Sequence, residues 1–366
     1  MADTRLPYLD LLRGLAALGV VLIHATAAAL ASFTLTPEMP AGFWLLFALN
    51  QLARFCVPAF FVLAGFLAAY HTDRPRSTHG RLAQRIFKLA VPYLFWSFIF
   101  SLTLNLDQHP ATWGTLFNNL LWGQSFWGGY FIIALLELTI VDHFLVRGAG
   151  WRSLLMAVIA LAVMTEIVFY TAAWGGSTPL VRAIQAGFAY YKATCLPWLS
   201  FYLIGVVLAH THVHAAQTLH RGRWLLLAVG CVTFLLSIGE GALLLGTIHS
   251  LALAADYFKL SSLLYELAVI GLFFSLKDST VRHVSPLAWL ATASYGIYYL
   301  NDRLILILLA LWPALKANAL LGQPALLLAG IGLPAVAYYL VAHHAPQIVR
   351  LVTFGAALHP KSSVAG

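Results

Sequence analysis

Charge is what this chain has least of. Asp, Glu, Lys and Arg make up 9% of its 366 residues, whereas 61% are hydrophobic. No soluble domain of that length needs so much apolar side chain to fill its core. Cysteine is almost missing too: Cys56, Cys195 and Cys231 stand apart in apolar runs with no CxxC spacing. That excludes a disulfide framework and a cysteine-built metal site. Internal repeats, low-complexity linkers and a compositional break between domains are likewise absent. The little charge there is leans basic, for a net of +8. The basic residues are scattered between apolar runs, where they act as topology signals and lipid-headgroup contacts, so nucleic acid is not an expected partner.

What the chain does have is a succession of apolar runs near 20 residues long, about the length that crosses a bilayer as a helix. They fall at 8–31, 43–70, 83–105, 125–146, 153–173, 194–210, 223–243, 257–276, 287–311 and 323–343. The expectation is an all-α polytopic membrane protein with about ten transmembrane helices. One membrane domain would cover 1–345, followed by a short tail, 346–366. With the N-terminus in the cytoplasm, the inner loops and flanks collect most of the Arg and Lys, from Arg74 and Arg76 to Arg350 and Lys361. The outer ones hold only Arg182, Lys192, Lys259 and Lys316. That asymmetry puts both termini inside and the protein in the cell membrane. Residues 1–31 resemble a secretory signal, but Asp3, Asp10 and His24 argue for a retained helix.

The first run, Tyr8 to Ala31, carries Arg13 and His24. At about 100° and 1.5 Å per residue, eleven residues make three turns plus roughly 20°, so the two project from one face about 16 Å apart in depth. Ionisable groups at such depth face a bundle interior or a watery cavity and mark function; the alternative is an interfacial anchor plus one satisfied histidine. Asp10, three residues from Arg13, is spaced to pair with it and reduce its burial cost. A neutral imidazole at His24 can take a proton from an attacking hydroxyl and return it to a leaving group. The longest outer connections, near 106–124 and 174–193, hold or adjoin Trp113, Trp122, Trp127, Trp174, Tyr190 and Tyr191, which suit either an aromatic interface belt or a lid over a sugar-like ligand.

Arg54-Phe-Cys-Val-Pro-Ala-Phe-Phe-Val-Leu-Ala-Gly-Phe-Leu67 lies in the second run, and Arg81-Leu-Ala-Gln-Arg-Ile-Phe-Lys-Leu-Ala-Val-Pro-Tyr-Leu-Phe-Trp96 opens the third. Arg81, Arg85 and Lys88 fall on one side of a helix entering from the cytoplasm, a clamp for polyphosphate or a plain positive-inside cluster. Arg-x10-His, Pro-x-Phe-Phe-x-x-x-Gly-Phe and Arg-x-x-Lys-x-x-x-Pro-Tyr-x-x-Trp in this order resemble the acyltransferase type 3 family of integral-membrane O-acyltransferases. Leu196-Pro-Trp-Leu-Ser-Phe-Tyr-Leu-Ile-Gly205 and Ser294-Tyr-Gly-Ile-Tyr-Tyr299 extend the likeness over nearly the whole chain.

The resemblance implies a ten-helix domain that moves an acyl group, usually acetyl, from cytoplasmic acyl-CoA to a hydroxyl of a glycan or lipid-linked sugar. It also implies that His24 is the catalytic histidine with Arg13 its required partner, and that Arg85 and Lys88 meet the CoA phosphates. Acyl-CoA, the carbohydrate acceptor and membrane lipids are the expected partners, with no permanently bound cofactor. Two departures stand out: Ala64 sits where members often have serine, and Asn301-Asp302-Arg303 stands where many have a histidine. Arg54, Glu137, Glu166, Glu240 and Glu266 are further intramembrane charges. Of these Glu137, on the face of Tyr130, is a supporting candidate to orient a histidine or substrate, or else an interhelical hydrogen-bond acceptor. His210-Thr-His-Val-His214 has alternating histidines but no acidic or cysteine ligand beside it, and reads as a basic loop rather than a metal site. The competing readings are a transporter of an acylated saccharide and an assembly subunit of a glycan-synthesis complex.

Overall fold

A computed structural model describes residues 6–36, 38–70, 79–103, 112–146, 148–277, 285–317 and 319–345. All regular structure among them is helical. The helices are α1 (Pro7–Leu30), α2 (Ala41–Leu52), α3 (Cys56–Tyr70), α4 (His79–Thr103), α5 (Trp113–Trp122), α6 (Tyr130–Val141, prolonged by the π-helical turn Asp142–Val146), α7 (Trp151–Trp174), α8 (Pro179–Ala193), α9 (Leu196–His210) and α10 (His212–Arg221). They continue with α11 (Arg223–Ile248), α12 (Leu251–Ala254), α13 (Leu260–Ser275), α14 (Ser285–Leu311), α15 (Ala314–Ala317), α16 (Ala319–Leu327, followed by the π-helical turn Leu328–Gly332) and α17 (Leu333–His344). Among the described residues, five helical stretches are long and apolar enough to cross a membrane (α1, α2 with α3, α7, α11 and Leu320–His344), or six if the bent pair α8–α9 is one span. The other expected ranges also hold helices, but α13, for example, is only 16 residues long. Helix length alone therefore does not carry the expected ten crossings. The tail, 346–366, lies outside the described residues.

Helix α1 is central. Pro7 starts it, its missing N–H falling among donors that a helix start leaves unpaired anyway. Of its most apolar window 61% is buried, against 17% in α7 and 22% in α11, whose leucines and valines face outward as membrane helices require. Glycines set the closest approaches. A Cβ on Gly14 would strike the Leu287 carbonyl of α14, and Gly65 of α3 and Gly205 of α9 each meet the other helix's backbone, at Tyr202 and Val62. Close backbone packing of this kind supplies dispersion energy where lipid offers no hydrophobic drive.

Two expected spans and both long connections are more irregular than the sequence suggested. The run 43–70 breaks at Ala53–Phe55, because Pro58 cannot donate to the Arg54 carbonyl four residues back and its ring crowds that oxygen. The run 125–146 becomes helical only at Tyr130. The stretch before it is a loop in which Gly123 (φ 67°) and Gly128 (φ 85°) take left-handed conformations that suit glycine. The two long outer connections contain helices of their own, α5 and α8, and α8 meets α9 at a 42° bend.

Candidate active site

The break between α2 and α3, the 123–129 loop and the middle of α14 all converge on one face of α1. There α1, α3, α6 and α14 enclose a cavity of about 610 Å³ that runs from Leu6 and Tyr70 at one end to Ala27 and Tyr257 at the other. At 1.5 Å per residue, Leu6 to Ala27 spans about 30 Å, the thickness of a bilayer's hydrocarbon core. Asp10, Arg13 and His24 all line it, as their shared face predicts.

The partners of these residues were not legible in advance. Arg13 donates from Nε to the Ser294 hydroxyl at 3.1 Å and lies 5.4 Å from the centre of the Tyr295 ring. The expected Asp10–Arg13 ion pair does not form among the described residues, because the guanidinium reaches across to the polar Ser294-Tyr295 step of α14 instead.

His24 Nδ1 is 2.6 Å from Asn301 Oδ1. The Asn301 amide nitrogen donates to the backbone carbonyls of Ile297 at 2.7 Å and Tyr298 at 2.9 Å, which can only accept, so Oδ1 is the atom turned to the histidine. His24 must then carry its proton on Nδ1 and present Nε2 as a free base. Trp127 meets the imidazole edge-on with centroids 5.7 Å apart. A base with its tautomer fixed by a fully buried carboxamide is what proton abstraction from a hydroxyl requires.

The next two residues of α14 hold the loop that carries Trp127. Asp302, fully buried, accepts from the Trp127 backbone N–H at 2.9 Å, and Arg303 donates to the Ser125 carbonyl. The Tyr298 hydroxyl donates to the Gly128 carbonyl at 2.5 Å. Consecutive helical residues point about 100° apart, which is how Asn301, Asp302 and Arg303 serve a histidine, a loop amide and a loop carbonyl. The signal for this was visible: three polar residues in a row inside an apolar helix must each find a partner.

The remaining candidates lie elsewhere. Glu137 does not line the cavity; it accepts from the Cys195 N–H at 2.6 Å, satisfying a donor at the start of α9. The interhelical alternative is thus the one its geometry shows. Arg85 is part-exposed and 3.9 Å from buried Asp142 in the π-helical turn, Lys88 is exposed, and neither lines the cavity. The Arg81 side chain lies outside the described residues. Arg54, noted above only as an intramembrane charge, lines the cavity and is only 8% exposed.

A second cavity, also about 610 Å³, adjoins the first at Ala27, Arg54, Trp127, Gly128, Tyr130 and Tyr257. Trp122, Trp198, Gln124, Lys192 and Asp256 line its far part, and Lys192 and Asp256 are ion-paired at 2.8 Å. The aromatic set therefore divides. Trp122 and Trp127 line a cavity, Trp127 while still 41% exposed, whereas the exposed Trp113 and Trp174 line neither.

No curated relative and no solved structure matches the chain. Residues 6–340 match the family described as an acyltransferase domain, a span that takes in α1, α14 and every cavity-lining residue named above. With its apolar helices, the chain belongs to the acyltransferase type 3 family of membrane acyltransferases.

Proposed function

We propose that the protein is an acyl-CoA-dependent O-acyltransferase of the cell membrane, acting first on acetyl-CoA, with a hydroxyl of a cell-surface glycan or lipid-linked sugar as acceptor. The observation that carries this is the His24–Asn301 hydrogen bond, which leaves Nε2 as base on the wall of a cavity large enough for a thioester arm. Nε2 takes the acceptor's hydroxyl proton as its oxygen attacks the thioester carbonyl. The tetrahedral adduct then expels CoA thiolate, which takes that proton back from the imidazolium. The protein contributes no resident cofactor; acyl-CoA is substrate.

The donor comes in at the Leu6 and Tyr70 end, where Arg13 is the cation on the cavity wall, about 16 Å in depth from His24. Arg85 and Lys88, which lie outside the cavity, serve the CoA phosphates together with Arg81. The acceptor comes in through the second cavity, whose tryptophans suit the apolar faces of a sugar ring. This assignment goes with ten crossings, both termini cytoplasmic, and a vectorial transfer, since a CoA thioester is too polar to cross lipid. Acetyl-CoA enclosed with the cytoplasmic face of oriented proteoliposomes should support acylation of a lipid-linked sugar supplied only at the opposite face. Product that forms only when both substrates share the cytoplasmic side overturns the vectorial scheme. Abutting cavities that reach both ends of α1 also suit a saccharide transporter, which product-free movement of labelled sugar would reveal.

A further inference from the structure

The helix break at Ala53–Phe55 puts Arg54 where the two cavities meet, on the wall of both. A cation so placed is expensive within a membrane and is ordinarily matched by a carboxylate. Among the described residues none lies within ion-pair distance of it. Its partner is neutral: Asn50 Oδ1 accepts from Nε at 3.0 Å and from Nη2 at 2.5 Å. Asn50 is itself fixed, its amide nitrogen donating to the Ile23 carbonyl at 3.3 Å and to the Thr26 hydroxyl at 2.9 Å, on the turn of α1 that carries His24. The guanidinium also lies 4.5 Å from the centre of the Tyr257 ring. Arg54 is therefore clamped to the histidine's own turn with no carboxylate in ion-pair contact, the buried carboxyl of Glu266 acting on it only at longer range.

We infer that Arg54 is the oxyanion-stabilising residue of the acyl transfer, holding the negative charge that develops on the thioester carbonyl oxygen. This rests on the proposed acyltransferase reaction. As the acceptor oxygen bonds to the carbonyl carbon, the carbonyl π pair moves onto oxygen; as the adduct collapses, that pair re-forms the double bond and the carbon–sulfur bond breaks toward CoA. A cation fixed before the reaction favours the charged intermediate without reorganising, and that is the most effective form of electrostatic catalysis in a cavity poor in water. A carboxylate in direct contact would cancel most of the field; a carboxamide orients the donor and adds no opposing charge.

The test compares wild type with Arg54→Ala and Arg54→Lys in detergent, following CoA thiol release with acetyl-CoA and a panel of sugar acceptors. The expected result is a fall in kcat of about 10²–10³-fold in Arg54→Ala, with donor and acceptor KM nearly unchanged, as for other lost oxyanion donors. Free guanidinium added to that variant should restore part of kcat, which it could not do for a residue needed only for packing. Arg54→Lys keeps the charge but not the fork to Asn50, and should fall between the two; it carries the test if the alanine variant does not fold. Wild-type kcat in either folded variant, a rise in KM alone, or absence of guanidinium rescue overturns the assignment and leaves the acyltransferase reading standing. No acyl transfer by the wild type to any acceptor overturns both.

Discussion

Replacing Asn301 by alanine removes the oxygen that receives the His24 Nδ1 proton, and the size of the effect follows from that one bond. A buried hydrogen bond between neutral groups contributes about 0.5–1.5 kcal/mol net, which at 1.36 kcal/mol per decade is roughly a two- to thirteen-fold preference for the productive tautomer. If no water replaces Asn301, the stranded donor costs up to about 3 kcal/mol, or roughly 150-fold. The expected loss in kcat for Asn301→Ala is therefore about tenfold, bounded by those limits. His24→Ala should fold and insert normally yet lose about 10²–10⁴-fold, the usual worth of a general base. Because Asn301 acts only through His24, the double variant should be no slower than His24→Ala alone. Initial rates of CoA release, measured on protein shown by thermal unfolding to be folded, decide the matter. Wild-type kcat in Asn301→Ala, or a double variant slower than either parent in a multiplicative way, would refute the tautomer argument.

Arg13→Lys should raise donor KM, since an ammonium lacks the planar fork that reaches Ser294 and beyond; Asp10→Asn should not copy that defect, because the two do not pair, and parallel defects would reinstate the pair. Lys88→Glu should weaken acetyl-CoA binding by an amount that shrinks as salt rises, and unaltered binding would mark Lys88 as a topology signal. Arg85→Glu additionally puts a carboxylate beside Asp142, so it should lower thermal stability where Lys88→Glu does not. Gly205→Ala should destabilise the α3–α9 contact by about 1–3 kcal/mol, read as a lower Tm, because its new methyl group meets the rigid backbone of Val62 and Phe66; an unchanged Tm would contradict the packing.

The parts of the site that depend on one helix were legible in the sequence. Arg13 and His24 share a face by helical arithmetic, and both do line the cavity. Parts that depend on a second helix were not. Asp10 has the right spacing to hold Arg13, but tertiary packing offered Ser294, and spacing within α1 could not reveal it. Glu137 has the periodicity of Tyr130, but the start of α9 arrives beside it and takes its carboxylate. The break that exposes Arg54 lies between these extremes. Pro58 announces a lost hydrogen bond four residues back, but a proline in a membrane run can as readily kink a helix as interrupt it. Asn301-Asp302-Arg303 drew notice only as a departure from a pattern; its meaning depended on the 123–129 loop, most of which falls in the apolar run 125–146 that reads as an uninterrupted helix.

That loop decides what Trp127 is for. Irregular backbone at membrane depth is tolerated only where protein buries it or where it lines a cavity, because lipid offers its amides and carbonyls no partners. Here the partners come from α14: Asp302 for the Trp127 amide, Tyr298 for the Gly128 carbonyl and Arg303 for the Ser125 carbonyl. Burying Asp302, even with half-buried Arg303 3.8 Å away as its ion-pair partner, costs several kcal/mol before these bonds offset it, far more than placing an aromatic belt needs. An interfacial tryptophan requires no anchor beyond the headgroups. Trp127 is instead fixed against the imidazole of His24 through buried Asp302 and half-buried Arg303, and it forms wall for both cavities. It is thus a built part of the cavity wall, held from the same helix that hydrogen-bonds His24, so any shift of α14 along α1 would alter histidine and wall together.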